Sequence, residues 1–150
     1  MLQYRQTHNA VEALNALPFL QSLEPLYPGF QSWYVNQVLP GVTVGRDVLM
    51  LAHDQERLVG VALGKSNSHE TKLRCVRVLP EYQNLGVGIR LIDKMLEALE
   101  CRYPHCTVAE EMLHSYSRAL VNRYGFKLAS VDKGRYRPGK LEYAFNEETC

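Results

Sequence analysis

The sequence predicts an α/β (α+β) fold: a mixed, mostly antiparallel sheet flanked by helices, built around a central β-α-β unit. Three observations predict it. Val48 to Ala52, Leu58 to Leu63 and Lys72 to Leu79 are apolar or alternating runs separated only by the polar turns His53–Arg57 and Lys65–Glu70, which reads as three antiparallel strands. The third run meets a glycine turn and then Leu91, Ile92, Met95, Leu96 and Leu99 at helical spacing, opposite Asp93, Lys94, Glu97 and Glu100. The short run Cys106 to Ala109 follows, placed to return parallel to the third strand through a right-handed crossover.

The remaining elements follow in order. Leu2 to Gln6 is a short first strand, and Asn9 caps a helix carrying Val11, Leu14, Leu17 and Leu20, shortened by Pro18. Pro25, Pro28 and Gly29 make a loop; Phe30, Trp33, Tyr34, Val38 and Leu39 then recur at helical spacing to a stop at Pro40-Gly41. After Ala109 a helix from about Leu113 to Tyr124 ends at Gly125, a left-handed cap, with Phe126 dropping into the core. Phe126 to Val131 and Leu141 to Phe145 are the closing strands.

Pro80 ends the strand before the glycine turn, and the helix begins near Val87. Gly86 and Gly88 lack a Cβ, so a bulky anion can approach the backbone, where first-turn N–H groups and the positive end of the helix dipole face it. No acid in that turn repels it. Gln83-x-x-Gly86-x-Gly88 is not the dinucleotide pattern G-x-G-x-x-G, and it lacks the Gly-Lys-Ser/Thr ending of a triphosphate loop.

A chain of 150 residues suits one domain spanning 1–150 with a sizeable core. A net charge of +1 leaves no broad electrostatic footprint for nucleic acid or an acidic membrane. Cys75, Cys101, Cys106 and Cys150 form no C-x-x-C pair, which predicts four reduced thiols and no metal site. With neither a leader pattern at Met1 nor a run long enough to cross a bilayer, a cytoplasmic protein is expected.

The run Val78-Leu79-Pro80-Glu81-Tyr82 followed by Gln83-x-x-Gly86-x-Gly88 resembles the acetyl-CoA-binding motif of the GNAT N-acetyltransferase superfamily, written Arg/Gln-x-x-Gly-x-Gly/Ala. Arg123-Tyr124-Gly125-Phe126 resembles its second signature, and the element order matches that fold from end to end. Pro28-Gly29-Phe30 with Trp33, Tyr124-Gly125-Phe126 and Tyr136-Arg-Pro-Gly139-Lys140-Leu-Glu142-Tyr143 are similar to a bacterial GNAT subgroup.

The resemblance implies acetyl-CoA as co-substrate, with no metal, lying across the splayed ends of the strands holding Val76 to Val78 and Thr107 to Glu110. Its pyrophosphate would rest on Gln83, Asn84, Leu85, Gly86, Val87 and Gly88, and its pantetheine arm against Val76, Arg77 and Val78. A neutral primary amine would attack the acetyl carbonyl directly in a ternary complex, which requires a proton acceptor, an oxyanion donor and an acid, but no covalent nucleophile.

The helix tyrosine that many members use as the acid, four residues before the closing glycine, corresponds here to Val121, and the cofactor-contacting asparagine seven residues earlier to His114. His114 lies two α-helical turns before Val121 on the same face; it is either the proton shuttle or an exposed helix-start histidine. Tyr124 is a second candidate acid and otherwise a core aromatic, while Tyr116 is read as packing. Glu110 and Glu111 are either proton acceptors at the cleft mouth or helix-start carboxylates favoured by the dipole.

Trp33, Tyr136 and Glu142 are the candidate acceptor-site residues, Trp33 being otherwise a core aromatic and Glu142 a solvated strand charge, and Arg74 and Arg77 are expected mainly at the surface rather than facing the cleft. The acceptor class stays open between a small amine or amino acid, an antibiotic-like amine and a protein amine. A GNAT toxin acetylating aminoacyl-tRNA, the one reading that brings in nucleic acid, would use the basic cluster Lys127, Lys133, Arg135, Arg137 and Lys140. The missing tyrosine also admits a non-catalytic acyl-CoA-binding regulatory module. No membrane partner is expected, and a homodimer is left open.

Overall fold

The computed structural model describes residues 1–147 and 150. Its elements are β1 (Leu2–Thr7), α1 (Ala10–Asn15), α2 (Leu17–Leu20), α3 (Phe30–Trp33), α4 (Leu39–Val44), β2 (Asp47–Asp54), β3 (Arg57–Ser66), β4 (Thr71–Val78), α5 (Val87–Leu99), β5 (Cys106–Ala109), α6 (Glu110–Ser117), β6 (Leu128–Lys133) and β7 (Leu141–Phe145). Asn9 caps α1 as expected, its side chain accepting from the N–H groups of Val11 (2.8 Å) and Glu12 (3.1 Å).

The strands form two antiparallel sheets, β1-β2-β3-β4 and β5-β7-β6. The expected parallel pairing of β5 with β4 shrinks to one bridge. Leu73 N–H donates to His105 O and His105 N–H to Thr71 O, each at 2.9 Å, and beyond that point the strands diverge.

A β-bulge lies where they part. Leu63 faces Cys75 and Gly64 faces Leu73, so Arg74 is the extra residue. Thr71 and Leu73 bond toward β5 before it. After it, the Val76 and Val78 carbonyls accept from Tyr116 and Gln83 instead, so the free edge of β4 faces the opening.

Helices cover both faces of the first sheet, which explains why β2 is apolar on both sides. Val48, Met50 and Ala52 pack with Leu91, Ile92 and Met95 of α5; Leu49 and Leu51 pack with Ala13, Leu20, Tyr34 and Val42. Gly64 of β3 admits α5 closely, since a Cβ there would lie 2.6 Å from Met95 Sδ.

Several expectations change. Val11 and Leu14 are exposed, because α1 buries Ala13 and hands over to Ala16, Leu17 and Leu20. The second helical run does not stop at Pro40. A π-helical segment, Tyr34–Val38, leads into α4, and Pro40 occupies its first turn, where no N–H is needed; Gly45 at φ +83° ends it. The helix after β5 begins at Glu110 and turns π-helical over Arg118–Arg123 before Gly125 (φ +71°) closes it and Phe126 is buried. Finally, Cys101 and Cys150 form a disulfide, leaving Cys75 and Cys106 free. β7 runs antiparallel to β5, so the chain returns to where α5 ends, a proximity that spacing along the sequence does not show.

Candidate active site

The glycine turn leaves its backbone open on one side. Gly86 adopts φ +84° and Asn84 φ +64°, and the helical ladder begins with Arg90 N–H donating to Gly86 O at 3.0 Å. The N–H groups of Val87, Gly88 and Ile89 therefore have no partner inside the helix. Nothing lies within 4 Å of a Cβ built on Gly86, no acid occupies the first turn, and Gln83 Nε2 donates to Val78 O (3.2 Å), folding the turn onto the end of β4. This is an open cradle that suits a diphosphate.

From the cradle, the opening between β4 and β5 leads to a narrow slot of about 50 Å³ walled by Val76, Arg77, Val108, Ala109 and Tyr116. Tyr116 closes it: its hydroxyl donates to the Val76 carbonyl (2.9 Å) and accepts from Arg77 Nη1 (3.2 Å). Burial pushes the phenol up from its ordinary value, while the Arg77 cation pulls the other way. Tyr116 was expected to pack elsewhere. The π turn shifts the register of α6 relative to Gly125, so the α-helical count that paired His114 with Val121 does not hold. Arg77, named with the cofactor strand but with its side chain expected mainly at the surface, turns that side chain to the slot.

On the helix α3 side the opening widens into a cavity of about 330 Å³. Trp33 and Tyr136 line it, and so do Tyr27, Arg74 and Thr107, which also line the slot, so the two spaces share these walls. Glu142 lies beneath, 4% exposed, accepting from the Tyr27 hydroxyl at 2.8 Å. Burial pushes its carboxyl up, against the Tyr27 hydrogen bond and the Arg137 and Arg135 charges. Burial and this carboxylate push the Tyr27 phenol up as well. No feature of the sequence singles out Tyr27, which meets Glu142 from 115 positions away.

The candidate acids lie outside the slot. His114 is exposed on the outer face of α6. Tyr124 donates to Asp93 Oδ1 (2.7 Å) and Ile89 O (3.1 Å), and burial with Asp93 takes it up to about 12. Glu110 accepts from Leu141 N–H (2.9 Å), and Glu111 takes a bidentate pair from Arg137 (2.6 Å each), which holds its carboxyl down at about 2. Both carboxylates fasten α6 to the segment entering β7. Of the C-terminal basic cluster, Arg137 is thus engaged and Arg135 faces Asp132 at 3.7 Å.

A family model described as an acetyltransferase (GNAT) domain matches residues 45–128, more than half of the chain. The chain belongs to the GNAT acetyltransferase family. The same fold occurs in Arabidopsis thaliana NAA60, solved in complex with acetyl-CoA (TM-score 0.72, 17% identity, 97% of each chain covered). It occurs again in a GNAT-family acetyltransferase from Streptococcus pneumoniae (TM-score 0.71, 16% identity, 97% of each chain). A third is the ribosomal-protein-S18-alanine N-acetyltransferase of Escherichia coli (TM-score 0.69, 17% identity, 97% of this chain and 92% of that one). No curated protein matches the sequence. Among the described residues of this GNAT protein, no helix is long and apolar enough to cross a membrane.

Proposed function

We propose that the protein transfers the acetyl group of acetyl-CoA to a primary amine by direct attack in a ternary complex. The observation that carries this reading is that one strand, β4, adjoins three features: the N–H cradle that follows it, the slot at its free edge, and the cavity that shares walls with the slot. A cofactor laid from cradle to slot would present its thioester to an amine entering from the cavity.

Gln83, Asn84, Leu85, Gly86, Val87 and Gly88 would hold the diphosphate, and the backbone groups of Val76 and Val78, turned from β3 by the bulge, would hold the pantetheine arm. Acetyl-CoA, when bound, supplies an acetyl group activated as a thioester. The chain's own residues handle protons and charge. Tyr27 accepts a proton from the attacking amine as its own passes to Glu142, a carboxylate whose burial makes it a stronger base. A main-chain N–H on the free edge of β4 stabilises the developing oxyanion. Tyr116 gives its proton to the departing sulfur, and Arg77 steadies the phenolate left behind. A C–N bond forms and the C–S bond breaks, with both protons accounted for. His114, Glu110 and Tyr124 are assigned to the surface and packing of α6, while Trp33 and Tyr136 wall the acceptor.

The test is calorimetric titration with acetyl-CoA and CoA on the wild type and on Gly86→Glu, followed by a panel of amines. Saturable binding lost in the variant, with transfer to at least one amine, is expected. Absence of binding would sink the reading; binding without transfer to any amine would favour a non-catalytic acyl-CoA module.

A further inference from the structure

The chemistry of the acceptor cavity narrows its ligand. Lys72, Arg74, His105 and Arg135 line it, and among the described residues no carboxylate does. Lys72 already meets Glu70 (3.3 Å), and Arg135 faces Asp132 (3.7 Å). Burial lowers the His105 pKa, favouring a neutral ring. Arg74 is different. Its guanidinium lies 4.8 Å from the centre of the Trp33 ring, and it has no hydrogen bond or ion pair among the described residues; its Nε is buried without a partner. The bulge makes Arg74 the residue that β4 re-aims, and the side chain lies in the cavity. A guanidinium held over an indole presents a planar fork, the group that receives a carboxylate through two parallel N–H donors.

Another part of the lining has the opposite character, with Tyr27 standing on the buried Glu142 carboxylate. Trp33 and Tyr136, the latter 5.0 Å edge-on from Tyr27, supply aromatic walls. The volume of about 330 Å³ lies at the low end for ligand cavities and suits a small molecule.

We propose that the acceptor is an amine carrying its own carboxylate, a free amino acid with an apolar or aromatic side chain, whose carboxylate rests on Arg74. This rests on the acetyltransferase reading. With its carboxylate on Arg74, the amino group turns toward Tyr27, and the side chain lies along Trp33 and Tyr136. An amine without an anion leaves the Arg74 guanidinium without a hydrogen-bond partner, and so is selected against.

The test measures binding of the product such an acceptor would give. N-acetyl-L-phenylalanine and N-acetyl-L-phenylalaninamide are titrated into the full chain in the presence of CoA, using wild type, Arg74→Met and Arg74→Lys. The acid should bind at least about tenfold more tightly than the amide, the preference expected of one well-placed charge-assisted hydrogen-bonded pair. Arg74→Met should erase that preference, and Arg74→Lys should keep part of it. Equal binding of acid and amide, no binding of the acid, or a preference surviving in Arg74→Met would overturn the proposal. Should Arg74→Met not fold, the wild-type comparison and Arg74→Lys still decide it. CoA binding is read in the same titrations. Its loss from the wild type would strike the acetyltransferase reading, whereas intact CoA binding with acid and amide alike would strike the carboxylate site alone.

Discussion

The Tyr116 hydroxyl donates to the Val76 carbonyl at 2.9 Å, tying α6 to the free edge of β4 across the mouth of the slot. That edge is where a pantetheine arm would bond, so the hydroxyl is displaced from the carbonyl as the arm enters. It is then free to turn toward the sulfur. In the proposed reaction the same group closes the slot and, once released, serves as its acid.

Tyr116→Phe tests that double role. Losing a general acid costs a factor of about 10² to 10⁴ in rate, so kcat should fall by at least about 10² while acetyl-CoA affinity holds or improves. The alkaline limb of the pH profile should shift or vanish, because the hydroxyl that must stay protonated is gone. A variant with wild-type kcat and profile would remove Tyr116 from the chemistry.

Glu142→Gln couples activity to a pH-dependent stability. Burial raises the folded-state pKa above its ordinary value near 4.5, so the folded protein holds this proton to higher pH than the unfolded chain. The stability contributed is fully present below about pH 4.5 and is lost as pH rises through the folded value. The variant escapes that loss. Its melting temperature should gain on the wild type between about pH 4.5 and 7 while acetyl transfer falls. Parallel melting curves across that range would contradict the assignment.

Two glycines separate packing from binding. At Gly64 a Cβ would sit 2.6 Å from Met95 Sδ and 3.0 Å from the Lys72 carbonyl, so Gly64→Val should cost about 1–3 kcal/mol by overpacking beneath α5. At Gly88 the nearest contact would be an ordinary 3.7 Å to Val78 Cγ2. Gly88→Asp should hold the melting temperature, since a carboxylate in the first turn is favoured by the helix dipole, and yet weaken acetyl-CoA binding by opposing the diphosphate's charge. Thermal scans paired with calorimetry distinguish the two.

The Cys101–Cys150 bond closes a separation of 49 positions. Under oxidising conditions, reduction should lower stability by about 2–4 kcal/mol, read as a fall in melting temperature. Thiol titration of the denatured, unreduced chain should find two groups, those of Cys75 and Cys106. Four would show the bond unformed.

Much of this protein was legible in its sequence, because periodicity and turn chemistry are local. Alternating strands, the apolar stripe of α5 and the left-handed glycines at 86 and 125 all follow from neighbours within a few residues. The family motif at Gln83 to Gly88 is equally local, and so was found. What escaped depends on the third dimension. Val11 and Leu14 satisfy a helical pattern that the packing does not use, and Pro40 reads as a stop although a π turn carries the helix through it. A second π turn at Arg118–Arg123 adds no marker to the sequence, yet it moves His114 out and Tyr116 into the slot.

The sequence by itself determined the order of elements, the glycine cradle and the family. Tertiary structure alone decided the bulge at Arg74, the splay of β4 from β5, the meeting of Tyr27 with Glu142 and the bond from Cys101 to Cys150. The physical reason is that a cradle is made by consecutive backbone groups, whereas an acid, a base and an anion receptor are distances between segments far apart in the chain, and those distances exist only once both sheets and their helices have packed.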